Sequence, residues 1–421
     1  MTKADKEGQR KAPILRFKGF TNDWEQRKLL SNIENIIDYR GKTPKKLGLS
    51  WNGEREYPAL SAINVENGKI NLSKTEHFGD AYLFSKWMKK ALKLGQVILT
   101  TEAPVGNVAQ IKEKKHYILS QRVIAFETDK NLLDDFLYFL LQRNNSTLLR
   151  YSTGGTAKGI SQKSLKQVKI NLTPNISEQK QISQLLNVVK NLITLYDRKL
   201  KLLSQVKKYF LDNLFAKKEY PNLRFKGFTD AWEQRKLENL SEHKGGTSIE
   251  KYFSSDGLYK VISIGSYGLN NEYIDQGIRA VKNKTTESKL VRSGQLTMVL
   301  NDKTANGNLI GRCLLISKDN EFIVNQRTEI IIPGPDLNEN YAYYYLNGPF
   351  RNKVKKIAQG GTQIYVNYSS VKRQKINYPI KNEQIKISKL LKIIKSLITL
   401  YENKQHHLTE IKKTLLNTMF I

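Results

Sequence analysis

Cysteine is almost absent from these 421 residues. Cys313 stands alone, so no intrachain disulfide can form and no cysteine-based zinc site can be completed. Histidine is sparse too: His77, His116, His243, His406 and His407 include no H-E-x-x-H, and the adjacent pair cannot share one helix face. No stretch approaches 18 uncharged apolar residues, which excludes a membrane-spanning helix. The opening MTKADKEGQRKAP lacks the apolar core of a signal peptide, so the expectation is a cytoplasmic protein. Catalytic signatures are missing as well. There is no G-x-x-x-x-G-K-[ST], no G-x-G-x-x-G after a strand and no G-x-S-x-G, and Asp134, Asp135 and Glu102 form no metal-spaced cluster. These absences point to a binding protein without a metal or a catalytic residue of its own.

Negative charge is the remaining deficit. Thirty-nine Asp and Glu face 70 Lys and Arg, a net charge of +31 with a pI near 9.8. A field of that sign concentrates polyanions, of which nucleic acid is the commonest inside cells. An anionic membrane surface and a merely basic soluble protein are the competing readings. A hydrophobic share of 39% argues for a folded chain of two or three domains rather than disorder.

What is present is a repeat. Residues 15–29 read LRFKGFTNDWEQRKL, and 223–237 read LRFKGFTDAWEQRKL. From Glu178 the chain reads EQKQISQLLNVVKNLITLYDRKL, and from Glu383 EQIKISKLLKIIKSLITLYENKQ. Before each lie Gly154-Gly155-Thr156 and Lys169-Ile170-Asn171, matched by Gly360-Gly361-Thr362 and Lys375-Ile376-Asn377. The chain is a tandem duplication of a unit of roughly 200 residues, the kind of internal period that decides architecture. Residues 46–150 and 250–355 share only scattered echoes. Each unit keeps its edges and varies its middle.

The end of each unit carries a seven-residue apolar repeat. Ile182, Val189, Tyr196, Leu203 and Phe210 answer to Ile387, Ile394, Tyr401, Leu408 and Leu415. Held over about five heptads without Pro or Gly, this predicts long helices that pack on each other as a coiled coil. Two unrelated core helices are the plainer alternative. Forty residues make a rod of roughly 60 Å. Pro221, after the KKEY stretch, breaks the first helix and leads into the second unit. The order globe–helix–globe–helix makes the pair antiparallel, with a head at each end. The expected fold class is α+β: two mixed α/β heads separated by two long antiparallel coiled-coil helices, with a pseudo-twofold internal repeat. Strand-like runs at 96–101, 122–126, 295–300 and 328–332, and helix-like runs at 132–142 and 337–346, lack the alternation of a doubly wound sheet.

Duplex DNA asks for cations on its phosphates and for amides and arginines on its base edges. Loop residues of those types are Arg40, Lys42, Thr43, Lys45 and Lys158 in the first unit, and Lys244, Thr247, Asn301, Lys303, Gln363 and Tyr365 in the second. Gln121-Arg122 and Gln326-Arg327 precede a strand in both units, as base readers or as a repeated structural ion pair. The two GGT segments read as turns needing positive φ or as phosphate loops. Phe17, Phe20 and Trp24, repeated as Phe225, Phe228 and Trp232, read as core or as a docking surface.

Taken together, the duplicated RFKGFT-x-x-WEQRKL openings, the GGT segments and the EQ-x-x-I-(S)-x-LL…LITLY helices resemble the specificity subunits of type I restriction–modification systems. The resemblance implies target-recognition domains at 15–175 and 219–380, spacer helices at 176–218 and 381–421, and a basic tail at 1–14. It implies that each variable middle reads one half of a split DNA target while the helices act as a ruler between the halves. It implies two copies of a methyltransferase (modification) subunit and further restriction/translocase subunits as partners, with S-adenosylmethionine, ATP and Mg on those partners and none in this chain. The alternative is a stand-alone basic DNA or RNA scaffold without methyltransferase partners.

Overall fold

The computed structural model describes residues 11–51, 56–154, 158–216, 218–303 and 306–421. Residues 1–10 of the basic tail, Gly155, Thr156 and Ala157 of the first glycine loop, Lys217 and Thr304 lie outside the described residues. Contacts divide the chain into two compact units, Met1–Asp197 with Asn403–Ile421, and Arg198–Glu402. Each unit takes the first part of one long helix and the last part of the other.

The two long helices run Ile176–Asn213 and Lys381–Thr418, 38 residues each. Asn175 starts the first: its side-chain oxygen accepts from the backbone N–H groups of Ser177 and Glu178, which have no helical partner of their own. In the first unit Ile182 and Leu186 share a core with Met419 and Phe420. In the second, Leu214 and Phe215 share a core with Ile387 and Leu391. The start of one helix therefore meets the end of the other in both units, which is antiparallel pairing. Among the heptad residues, Ile182, Val189, Ile387 and Ile394 are buried, while Tyr196, Leu203, Phe210, Tyr401, Leu408 and Leu415 are half-buried.

The repeated edges of each unit fold onto each other. Glu25–Lys28 of the opening motif pairs antiparallel with Lys169–Leu172, just before the helix, and Glu233–Lys236 pairs with Lys375–Tyr378 in the same way. Arg16 then clamps the helix start, donating from Nε and an Nη to the two oxygens of Glu178 at 2.6 and 2.9 Å. Arg224 does the same to Glu383 at 2.8 Å twice. The carboxylates are wholly buried, and such bidentate, charge-assisted pairs combine strength with geometric specificity. The next residue, Gln179 or Gln384, ties the helix to the loop ahead of Asp134–Arg143 or Glu339–Tyr345 by bonding Leu133 N or Asn338 N. Trp24 and Trp232 are buried, Trp24 against Phe136 and Phe420, so in these tryptophans the repeated aromatics serve the core.

The variable middles share their main sheet and the three strands beside it, while the second head adds Leu290–Val291 to that smaller sheet. Ile33–Asp38, Val123–Thr128, Val97–Thr101 and Val105–Gln110 form an antiparallel sheet in that order. Ser241–Gly245, Thr328–Pro333, Leu296–Val299 and Cys313–Leu315 repeat it. Beside it Tyr57–Leu60 pairs antiparallel with Phe78–Gly79 and parallel with Ile118–Leu119, and Tyr259–Ile262 treats Arg279–Ala280 and Phe322–Val324 likewise. Low identity between the middles thus changes the surface of a shared scaffold. The architecture is α+β with a pseudo-twofold internal repeat, and no helix among the described residues is long and apolar enough to cross a membrane.

Candidate nucleic-acid interface

A turn of one unusual shape recurs where the central strand begins in each head. Arg122 and Arg327 both hold φ of +64°, a left-handed conformation that non-glycine residues adopt at a cost. The Arg122 carbonyl accepts from Thr101 N at 2.8 Å and the Arg327 carbonyl from Leu300 N at 2.9 Å. The carbonyls of the same two residues, Thr101 and Leu300, accept from Ile160 N and Val366 N, which end the two glycine loops. Each head therefore brings three segments to one edge: the glutamine–arginine turn, the end of a sheet strand, and the return loop. In the second loop Gly360 has φ of +107°, and a Cβ there would stand 1.9 Å from the Gln363 carbonyl. A turn that only glycine can make is the role this structure gives it.

In the first head that edge opens into a cleft of about 310 Å³ lined by Lys42, Thr43, Gln121 and Arg122, with Trp51 and His77. The Trp51 and His77 rings lie parallel, 2° apart in plane and 5.2 Å between centroids. Lys42 sits over the Tyr39 ring at 4.6 Å, and Thr43 starts the short turn Pro44–Leu47 that exposes Lys45. Arg122 lies 3.6 Å from the Glu102 carboxylate with half its side chain exposed. So exposed a pair contributes little and leaves the guanidinium able to exchange partners. Glu102 also bridges to Gly159 across the loop that exposes Lys158. Arg40 is differently placed. It forks onto Asp38 at 2.5–3.0 Å and reaches the Ile160 carbonyl, so its charge is spent on holding the return loop.

The second head gathers its candidates at the corresponding edge. Asn301 and Tyr365 face each other in the short ladder Asn301–Asp302 with Ile364–Tyr365, flanked by exposed Lys303 and Gln363. Arg327 is exposed beside them, and Gln326 donates to Glu250 at 2.9 Å. Hydrogen bonds from Ser248 and Asn325 hold that carboxyl down to about 2. Lys244 lies exposed on the strand Ser241–Gly245 and Thr247 just after it, where the Gly246 N–H bonds the Thr328 carbonyl. Residues that composition alone did not single out are Trp51, His77 and Glu250. Tryptophan is rare here, four in the chain, and that rarity is the one local signal Trp51 offers.

The chain matches the type I restriction modification DNA specificity domain twice, over residues 21–205 and 229–410. It is 25% identical over 412 residues to the type I restriction enzyme MjaVIII specificity subunit of Methanocaldococcus jannaschii, covering 94% of this chain and 92% of that one. A putative MjaX specificity subunit of the same organism is 22% identical over 417 residues, with the same coverage of each chain. Its fold resembles the type I restriction–modification S subunit from M. genitalium, with a TM-score of 0.64 at 15% identity over 97% of this chain and 99% of that one. A chain from a structure describing complex assembly and conformational transition of the type I system gives a TM-score of 0.53 at 14% identity, over 94% of this chain and 97% of that one. The twofold match, each copy carrying its own head and helix, makes this chain a member of the type I restriction–modification DNA specificity family, whose members are non-catalytic subunits that recognise DNA sequence.

Proposed function

We propose that the two heads read two different half-sites of one interrupted duplex target, and that the chain directs methyltransferase and restriction subunits to it. The observation that carries this reading is one scaffold with two different readout edges. The Arg122 turn is faced by the Glu102 carboxylate, whereas the edge beside the Arg327 turn presents the exposed Gln363 amide and Tyr365, so the first edge offers an acceptor where the second offers an amide. Arginine pairs with guanine, an amide with adenine and a carboxylate with the cytosine amino group. Edges that differ in this way select different bases, and the target is not palindromic.

Two methyltransferase copies bind the duplicated constant segments, one to each, because closely similar sequences in the same fold present similar surfaces. S-adenosylmethionine, ATP and Mg belong to those partners and to the translocating restriction subunits. The test is a modified-base map of host DNA with the gene present and deleted. Loss of N6-methyladenine at one two-part interrupted motif is the expected result. An unchanged map in cells that express the methyltransferase would overturn the reading and favour a scaffold that works without such partners.

A further inference from the structure

The duplication lets the chain serve as its own comparison, and one buried cluster differs between its two copies. Lys190 and Lys395 lie 205 residues apart at the same position of the two long helices, as do Lys207 and Lys412, and as do Tyr138 and Tyr343 in the heads. In the second unit Lys395 donates to Glu272 at 3.1 Å and contacts the Tyr343 hydroxyl at 3.3 Å. Lys207 lies close by, with Glu272 and Glu402 acting on it. Two ammonium groups meet two carboxylates.

The first unit builds the same cluster without the carboxylate. Lys190 is 8% exposed, sits 3.9 Å from the Tyr138 ring centroid, and donates to the neutral Gln110 oxygen at 2.9 Å. Lys412 donates to another neutral amide, Gln142 at 3.1 Å. Lys112, exposed at the rim, adds a third cation acting on both. The acid that acts on Lys190 is Asp135, and its two oxygens already accept from Gln110 and Asn187 at 2.7 and 2.9 Å. Three amines thus stand near a carboxylate whose oxygens are bonded elsewhere. Buried charges are retained when paired, and an unpaired one is costly.

We propose that Lys190, Lys412 and Lys112 form a binding site for an oxyanion, a carboxylate or phosphate group, which takes in the first unit the place that Glu272 fills in the second. The site stands apart from the DNA-reading edge and does not depend on the half-site reading. Its residues lie where the helices meet the head: Lys190 and Lys412 both approach the Phe139 ring, Lys190 also sits over Tyr138, and Lys112 is exposed. Burial, with Lys112 and Lys412 nearby, brings Lys190 down to about 7, against the partial counter-effect of Asp135. An arriving anion favours the ammonium form, so binding weakens as pH rises from 6 to 8.

The test soaks crystals of the full chain in selenate and titrates sulfate and a hexaglutamate peptide in solution at constant ionic strength. The expected anomalous peak lies between the Lys190 and Lys412 amines, with none at Lys395. Gln110→Glu, which supplies a carboxylate from within, and Lys112→Gln, at an exposed position that folding does not need, each remove that peak and one saturable site. Glu272→Gln creates a second peak at Lys395 and Lys207. Tighter binding of the peptide identifies a protein side chain as the occupant, and tighter binding of sulfate a free ion. No peak at Lys190, or equal peaks at both clusters in the unaltered chain, overturns the proposal.

Discussion

The Arg16–Glu178 pair joins segments 162 residues apart in sequence, and at the scale of single residues it explains why the opening motif and the EQ helix start recur together. Glu178 is wholly enclosed. Arg16→Ala therefore leaves a buried carboxylate without its counter-charge, and the first unit should lose about 3–5 kcal/mol in a denaturant titration. Arg224→Ala should cost the second unit a similar amount. Lysine at either position restores only part, since it cannot fork onto both oxygens. Lys190 gives a pH prediction. Its folded value of about 7 lies below the 10.5 of an unperturbed lysine, so between those limits the unfolded chain holds a proton that the folded chain has released. Stability from this group therefore rises as pH climbs from about 7 towards 10.5. In melting curves, the difference in Tm between the Lys190→Met variant and the unaltered chain should shift steadily in favour of the unaltered chain over that window. A flat difference would remove the claim. Neither residue announces itself in the sequence. Arg16 is one of 70 basic residues, and only the fold brings a carboxylate to it.

At the scale of elements, the helices and the central strands were legible because their signals are local. The heptads at 182–214 and 387–419 map onto Ile176–Asn213 and Lys381–Thr418. The β-branched runs at 96–101 and 328–332 appear as Val97–Thr101 and Thr328–Pro333. The short strands Tyr57–Leu60 and Ile118–Leu119 were not legible. Their parallel pairing joins segments some 60 residues apart, and runs of two to four residues carry no usable period. Helix length also yields a prediction for the proposed ruler. Four residues inserted in 182–214 add about 6 Å and turn the following side chains by little more than one revolution, so the apolar stripe is nearly preserved. A methylation map of the variant should show a longer gap between unchanged half-sites. An unchanged gap would sink the ruler.

For the molecule as a whole, the charge of +31 makes salt the governing variable for DNA affinity. Each phosphate neutralised by Lys or Arg contributes about −0.9 to the slope of log affinity against log salt. Fluorescence anisotropy on the methylation-mapped duplex should give a steep slope, reduced by about 1 in Lys42→Gln. That variant should leave the half-site read by the second head unaltered. Sequence by itself determined the duplication, the basic character, the paired long helices and the family, since repeats, composition and heptads are properties of a chain read in order. Tertiary structure alone decided that the divergent middles share the topology of their main sheet. It also decided that Arg122 and Arg327 occupy the same left-handed turn, that Arg40 reaches the Ile160 carbonyl of the return loop, and that one lysine cluster carries its own carboxylate while its copy does not. The physical reason is distance along the chain. Hydrogen bonds and ion pairs act over a few ångströms, and the residues they join here, from Arg16 and Glu178 to Lys395 and Glu272, lie more than a hundred positions apart.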